Sequence, residues 1–313
     1  MKMSDERRSW RIMYDVIIVG KGPAGLSASL YTTRAGLKTL IIGRDDSALK
    51  KARIVENYFG FGQPVSGQYL LEEGKKQALR LGALIVEDEV ISIETDEKGT
   101  YSVTTSNEVY KGIAVLIATG QLQKRIKIKN LEKFEGKGIS YCTTCDGFFY
   151  KNLKVGVIGN RDYAIHEAME LEAFTKDITI YTNGKELELS DKFKKEAERF
   201  KINEKVIIEF GGEDFLQEIY FEDGSSEEID GIFIAGESAS SIDFARKLGV
   251  IAKGNSLVAD ELQKTNLDGL FAAGDCTGGI KQIAVAVGQG ATAGISIIEY
   301  VRDFKKRVDR VVE

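Results

Sequence analysis

Tyr14-Asp-Val-Ile-Ile-Val19, followed at once by Gly20-Lys-Gly22-Pro-Ala-Gly25, decides the fold of this chain. The first six residues are an apolar, β-rich run, and Pro23–Ala35 reads as a helix. Lys38–Ile42 is the next strand, which completes a βαβ unit. Each glycine has a separate task. Gly20 permits the tight turn, Gly22 lets the backbone approach a pyrophosphate, and Gly25 lets helix and strand pack closely. The helix N-terminus then faces the phosphates. The glycine pattern alone also fits a generic βα turn; the strand before it and the helix after it favour a dinucleotide site. The acidic residue expected for the ribose is not clearly at the strand end, which reads Ile42-Gly43-Arg44-Asp45-Asp46, so Asp45 is a candidate only.

A second unit of the same kind follows about 140 residues later. Lys154–Ile158 reads as a strand, Tyr163–Phe174 as a helix and Ile178–Tyr181 as a strand. Its turn, Gly159-Asn160-Arg161-Asp162-Tyr163-Ala164, has lost the glycines a second dinucleotide would need. Val115–Ile117 is a buried-type strand ending in Ala118-Thr119-Gly120, and Gly231–Ala235 is another short strand. Gly269-Leu-Phe-Ala-Ala-Gly274-Asp275 reads as a strand with a glycine turn, and Gln289–Arg302 as a closing helix. If the first unit belongs with the C-terminal segment, the second would be an insertion at roughly 122–242.

The chain has 313 residues and a net charge of −5, which argues against nucleic acid as a partner. No apolar run approaches the roughly 20 residues that span a bilayer, so no membrane is expected. The charged N-terminus is no secretory signal, and a cytoplasmic location is expected. Three cysteines do not make a disulfide scaffold, and with one histidine, His166, a zinc site would struggle to find four ligands. No metal is expected.

Cys142-Thr-Thr-Cys145-Asp146 therefore reads as a redox dithiol. The spacing brings two sulfurs close enough for a reversible disulfide and commonly lowers one thiol pKa. Asp146 can relay a proton to a leaving thiolate, which meets the need for a general acid without histidine. The bland alternative is half a zinc site or two inert core cysteines. Gly274-Asp275 is the second half of a flavin signature, its carboxylate placed to accept hydrogen bonds from a ribityl chain; as a bland alternative Asp275 is a solvated turn residue. Lys281-Gln282-Ile283 and a small-residue helix with Gly288 and Gly290 follow, and small residues there would let the helix approach the flavin.

Taken together, Gly20–Gly25, Val55-Glu56-Asn57-Tyr58, Ala118-Thr119-Gly120, Tyr141–Gly147, Thr265–Asp275 and Gln282–Gly290 occur in family order over nearly the whole chain. On these pieces the chain resembles the low-molecular-weight FAD-dependent thioredoxin reductases. The resemblance implies an α/β fold: a two-domain disulfide-reductase flavoprotein. Its Rossmann-like FAD domain (1–121 and 243–313) holds an inserted, degenerate pyridine-nucleotide-type domain with the dithiol (122–242). It implies FAD held by Gly20, Gly22, Pro23, Ala24, Gly25, Gly43, Arg44, Asn57 and Val90, then by Ala118, Thr119, Gly120, Gly274, Asp275, Lys281, Gln282 and Ile283. It implies Cys142, Cys145 and Asp146 as catalytic residues, with Cys145 the flavin-proximal sulfur, a thioredoxin partner and a homodimer. In that family NADPH reduces FAD, FAD reduces the disulfide, and a domain rotation presents the dithiol to thioredoxin.

The departures concentrate in the second βαβ unit. NADPH-using members carry a glycine-rich turn there and a basic cluster after the next strand. Here Asn160 and Arg161 stand in the turn, and the strand ends Tyr181-Thr182-Asn183-Gly184 with no arginine pair. This pattern resembles the ferredoxin-dependent flavin thioredoxin reductases, so ferredoxin is the expected electron donor. NADPH or NADH through an atypical site, and a redox-sensing flavoprotein without turnover, are the alternatives. In the FAD domain the usual Gly-Gly-Gln-Leu is replaced by Asp46-Ser-Ala-Leu-Lys-Lys51. An acidic ferredoxin wants a basic face, for which Lys124, Arg125, Lys127 and Lys129, or Lys305, Lys306, Arg307 and Arg310, are candidates beside an ordinary solvated surface. His166 is expected on a helix surface, Cys276 packed beside the flavin site, and Trp10 packed locally.

Overall fold

Two strand–helix–strand patterns call for two sheets, and both are present in the computed structural model, which describes residues 13–121, 126–236 and 239–312. Trp10, Lys124 and Arg125 lie outside the described residues. The chain divides into one unit of Met1–Gln123 with Ser240–Glu313 and a second of Lys124–Ala239. Residues 240–242, expected in the insertion, belong instead to the first unit. Ser240 and Asp243 form a reciprocal capping box there, which commits the chain to the helix Ser241–Leu248.

The first unit begins with β1 (Tyr14–Val19), α1 (Pro23–Arg34), β2 (Thr39–Ile42), α2 (Gly67–Arg80) and β3 (Leu84–Val86). A meander follows: β4 (Val90–Thr95), β5 (Tyr101–Thr105) and β6 (Val109–Ile117). The second unit contains α3 (Leu131–Phe134), β7 (Ile139–Ser140), α4 (Thr143–Asp146), β8 (Val155–Gly159) and α5 (Asp162–Leu171). It continues through β9 (Ile178–Tyr181), α6 (Asp191–Ala197) and β10 (Lys201–Asn203). A ribbon of β11 (Ile207–Gly211), β12 (Glu218–Phe221) and β13 (Ser226–Glu228) precedes β14 (Gly231–Gly236). The chain returns to the first unit with α7 (Ser241–Leu248), β15 (Ala252–Lys253), β16 (Ser256–Leu257), β17 (Leu270–Ala272) and α8 (Ile283–Val312).

The main sheet of the first unit runs β3-β2-β1-β6-β5-β4, and β17 joins the far edge of β6. Strands β3, β2, β1, β6 and β17 pair in parallel, whereas β4 and β5 are antiparallel. Val16–Val19 and Thr39–Ile42 are buried throughout, as expected of parallel strands covered on both faces. Strand β6 starts at Val109, six residues earlier than its apolar run, because its first residues pair with β5 in the half-exposed meander. The sheet of the second unit, β10-β9-β8-β14-β7, is all parallel.

The closing helix differs most from expectation. It begins at Ile283 rather than Gln289 and runs to Val312. Against expectation, its stretch Ile283–Arg310 is long and apolar enough to cross a membrane by length and composition. Ala286, Ala293, Ile297, Val301 and Phe304 nevertheless pack into the core of the first unit with Ala24 and Ala28 of α1. A Cβ on Gly290 would lie 2.1 Å from Ala24 O, and one on Gly294 2.8 Å from Ala28 O. Gly290 lets the two helices touch backbone to backbone.

Candidate active site

The carboxyl ends of the parallel strands of the first unit converge, the place where open α/β sheets bind ligands. Gly20 N–H donates to Ile42 O at 2.7 Å, Ala118 N–H to Val19 O at 2.8 Å and Ala273 N–H to Ile117 O at 3.0 Å. At Gly20 (φ 115°) a Cβ would lie 2.2 Å from Ala118 O, and at Gly25 2.0 Å from Gly20 O. Both glycines are demanded by packing. At Gly22 nothing lies within 4 Å of a Cβ, so its missing side chain leaves space in front of α1. Pro23, Ala24 and Gly25 form the first turn of that helix, which has no acidic residue and no side-chain cap. Its N–H groups are open to an anion. This arrangement fits the pyrophosphate of FAD.

The other residues expected at this site fall around the same strand ends. Gly43, just past β2, donates to Val86 O at 3.2 Å, and Arg44 pairs with Asp46 at 3.2 Å and Glu89 at 3.5 Å. Val90 opens β4, buried, next to Glu89. Ala118, Thr119 and Gly120 follow β6. Gly274 (φ 84°) donates to Gln289 Oε1 at 2.8 Å and is followed by Asp275. Asn57 Nδ2 donates to Gln282 Oε1 at 2.9 Å, which ties the Val55–Tyr58 segment to the start of α8 at Ile283. Lys281 hydrogen-bonds Gln121.

Asp45 is not a free ribose acceptor. Lys50 hydrogen-bonds it, Lys75 Nζ lies at 2.6 Å, and the buried Lys21 at 3.7 Å. The hydrogen bond from Lys50, then that from Lys75, hold its carboxyl far below the ordinary 3.8. Lys21, between the first two glycines, also pairs with Glu87 at 3.2 Å.

The equivalent turn of the second unit is closed by its own chain. A Cβ on Gly159 would lie 2.7 Å from Ala164 Cβ, so this first glycine is kept for packing. The buried Asn160 donates from Nδ2 to Glu186 O at 2.9 Å and accepts at its carbonyl from Glu188 N–H at 2.9 Å. Arg161, where Gly22 stands in the first turn, pairs with Glu188 Oε2 at 2.7 Å. Asp162, 4% exposed in the first turn of α5, accepts from Ser190 N–H at 2.9 Å. The first turn of α5 therefore carries a carboxylate of its own, a charge that disfavours a phosphate at that helix N-terminus.

Cys142 and Cys145 are joined in a disulfide, with Cα atoms 5.3 Å apart. Cys142 is the N-cap of α4, and Cys145 N–H donates to its sulfur at 3.2 Å. Cys142 is 4% exposed, whereas Cys145 is exposed. Ser140, which the sequence did not single out, ties the site together. Its hydroxyl donates to Asp146 Oδ2 at 2.6 Å and accepts from Cys142 N–H at 3.0 Å. Phe148 and Phe149, directly after the motif, are both exposed. Cys276 is fully buried, and burial pushes its thiol up to about 12.

His166 is not on the surface as expected. It is half-buried, and its Nδ1 makes no hydrogen bond and lies 3.8 Å from Glu170 Oε1 and 3.9 Å from Glu167 Oε1. These three residues gather oxygen and nitrogen atoms within 4.8 Å of one another, through the i, i+4 spacing of α5. The hydroxyl of Thr143, inside the dithiol motif, bridges the two carboxylates at 2.8 and 2.5 Å. Of the basic candidates, Lys129 pairs with Glu209 at 2.9 Å, Lys305 with Asp15 at 2.6 Å and Lys306 with Asp303 at 3.6 Å, while Arg307 lies over the Phe304 ring.

Comparison with known proteins agrees with this geometry. The pyridine nucleotide-disulphide oxidoreductase family profile matches residues 14–290. The chain is 34% identical over 311 residues to the thioredoxin reductase of Aquifex aeolicus, covering 95% of this chain and 96% of that one. Among solved structures it is similar to the atypical thioredoxin reductase TRi from Desulfovibrio vulgaris Hildenborough, at 41% identity and TM-score 0.89, covering 93% and 99% of the two chains. It is also similar to a ferredoxin-flavin thioredoxin reductase from Clostridium acetobutylicum, at 28% identity and TM-score 0.68, with the same coverage. An open glycine turn for FAD, a dithiol on its own short helix and these likenesses along the chain agree: it belongs to the pyridine nucleotide-disulphide oxidoreductases, among their FAD-dependent thioredoxin reductases.

Proposed function

We propose that this thioredoxin reductase takes its electrons from reduced ferredoxin and not from a pyridine nucleotide. One observation carries the reading: residues 186–190 lie on the second turn, bonded to Asn160, Arg161 and Asp162. A dinucleotide would have to displace the Arg161–Glu188 pair and bring its pyrophosphate up to the buried Asp162 carboxylate. Like charges there oppose binding. The likeness to a protein described as a ferredoxin-flavin thioredoxin reductase supports the same direction.

The Gly20–Gly25 turn and the start of α1 would hold the FAD pyrophosphate, with Gly22 leaving the space for it, and Asp275 and the Asn57–Gln282 pair would line the rest of the site. FAD, when bound, couples the electron donor to the disulfide. The remaining chemistry belongs to the protein. Two electrons delivered at the exposed Cys145 would break the S–S bond, leaving Cys145 as one free sulfur of the dithiol and releasing Cys142 as a thiolate, at which Cys145 N–H already points. Asp146, held by Ser140, delivers the proton. Cys142 is 4% exposed, so the turn must be uncovered before it attacks the thioredoxin disulfide. Cys145 then resolves the mixed disulfide. The exposed Phe148 and Phe149 offer an apolar surface for that protein substrate.

Anaerobic reduction followed at the flavin absorbance band tests the donor. Bleaching with catalytically reduced ferredoxin, and none with excess NADPH or NADH, is the expected result. Rapid bleaching by either nucleotide overturns it. Cys142→Ser is expected to bleach normally and to lose thioredoxin reduction; a wild-type protein that reduces thioredoxin only stoichiometrically would instead be a redox sensor.

A further inference from the structure

The Cys-Thr-Thr-Cys turn could have been docked on α5 by apolar contact alone. Instead Thr143, fully buried, places its hydroxyl 2.8 Å from Glu167 Oε2 and 2.5 Å from Glu170 Oε2. Thr144, the other residue between the cysteines, lies 3.4 Å from the same Glu170 oxygen. Glu167 is 3% exposed. Burying a carboxylate is unfavourable unless it is hydrogen-bonded. A hydroxyl has one proton to donate, so the two carboxylates compete for it. Such a joint is a poor source of stability and a good source of geometry. It is also directional: it holds the residue between the two sulfurs to two successive positions on one helix face.

We propose that Thr143 is a positioning residue for the redox dithiol. Through Glu167 and Glu170 it clamps the turn to α5, so that Cys142 and Cys145 stay within bonding distance when the disulfide opens. The clamp favours re-closure and keeps the dithiol strongly reducing toward its protein substrate. The inference rests on the dithiol being the redox centre, and it is independent of which donor feeds the flavin.

The test is a redox titration of the whole protein against mixtures of reduced and oxidised dithiothreitol, with acid quenching and thiol counting by mass. Dithiothreitol supplies two electrons and two protons and closes its own ring as the Cys142–Cys145 bond opens. Thr143→Ala is expected to move the equilibrium toward the dithiol by roughly tenfold, about 30 mV for a two-electron couple. Thr143→Ser, which keeps the hydroxyl, is expected to titrate with the wild type. Glu167→Gln keeps the shape and removes one carboxylate acceptor; it is expected to shift the same way by about threefold, which covers the case of a Thr143→Ala protein that does not fold. Midpoints of Thr143→Ala and Glu167→Gln equal to the wild type, even with lowered melting temperatures, overturn the proposal. A wild-type disulfide that does not titrate at all overturns the redox reading beneath it.

Discussion

Gly20–Gly25 and Gly159–Ala164 are two versions of one strand–turn–helix, and they differ in what lies in front of the helix. In the first, Gly22 opens onto empty space and α1 carries no acid in its first turn. In the second, Arg161 replaces that glycine, Asp162 supplies the helix with its own anion, and residues 186–190 lie across the turn. The glycines that serve packing are kept or nearly so: Gly159 matches Gly20, and Ala164 stands where Gly25 does. A nucleotide site can therefore be closed without disturbing the fold that carried it. The position that admits the ligand is separate from the positions that admit the helix.

The largest effect should come from making the first turn like the second. Gly22→Arg is expected to weaken FAD binding by roughly a hundredfold, about 2.7 kcal/mol, and to yield a colourless protein after desalting, read as flavin absorbance per chain. If the variant remains fully yellow, the space before α1 is not the pyrophosphate site. Gly25→Ala asks whether the packing glycines are equivalent. With a Cβ 2.0 Å from Gly20 O it should cost about 3 kcal/mol, whereas Ala164→Gly should cost about 1 kcal/mol. Equal losses in denaturant unfolding would contradict the packing account. Opening the second turn with Arg161→Gly, Asp162→Asn and Glu188→Gln together should gain only weak NADPH binding, a Kd of about 1 mM, measurable by calorimetry. No gain would mean that more than this plug excludes the nucleotide.

The smallest effect concerns the strand end beside the open turn. Lysines depress the Asp45 carboxyl below its unfolded value of 3.8. Its stabilisation is complete above that pH and fades as the pH falls through the lower folded value. Asp45→Asn should therefore melt lower than wild type at pH 7, and the gap should narrow below about pH 4. A gap that stays constant down to pH 2 would place its origin outside the Lys21, Lys50 and Lys75 cluster.

Much of this was legible in the sequence, for physical reasons that also mark where reading stops. Strands β1, β2, β8 and β9 are buried on both faces and so appear as unbroken apolar runs. Strands β11, β12 and β13 carry glutamates on a half-exposed ribbon, and no such run marks them. The start of α8 at Ile283 was hidden by Gly288, a poor helix former just before the expected start at Gln289, while Gly290 inside the helix is required by contact with α1. In the site, glycines and cysteines announce themselves by spacing. Glu186 to Ser190 has no motif, and its closure over the second turn exists only once β9 and α6 have placed it there. Thr143 likewise gains meaning only from Glu167 and Glu170, 24 and 27 residues away in sequence.

The placement of β17 and α8 bears on how the polypeptide comes together during synthesis. Strand β6 is made before the second unit, yet β17, which lines its other edge, emerges only after that unit and α7 are complete. The same holds for the face of α1 that α8 covers. A nascent chain lacking residues beyond 270 would expose an apolar helix face and an unpaired strand edge, the features that promote misassembly. The contiguous second unit is free of that delay. It can close its own sheet on the ribosome, holding Cys142 and Cys145 in place while the flavin-binding half still waits for its last helix.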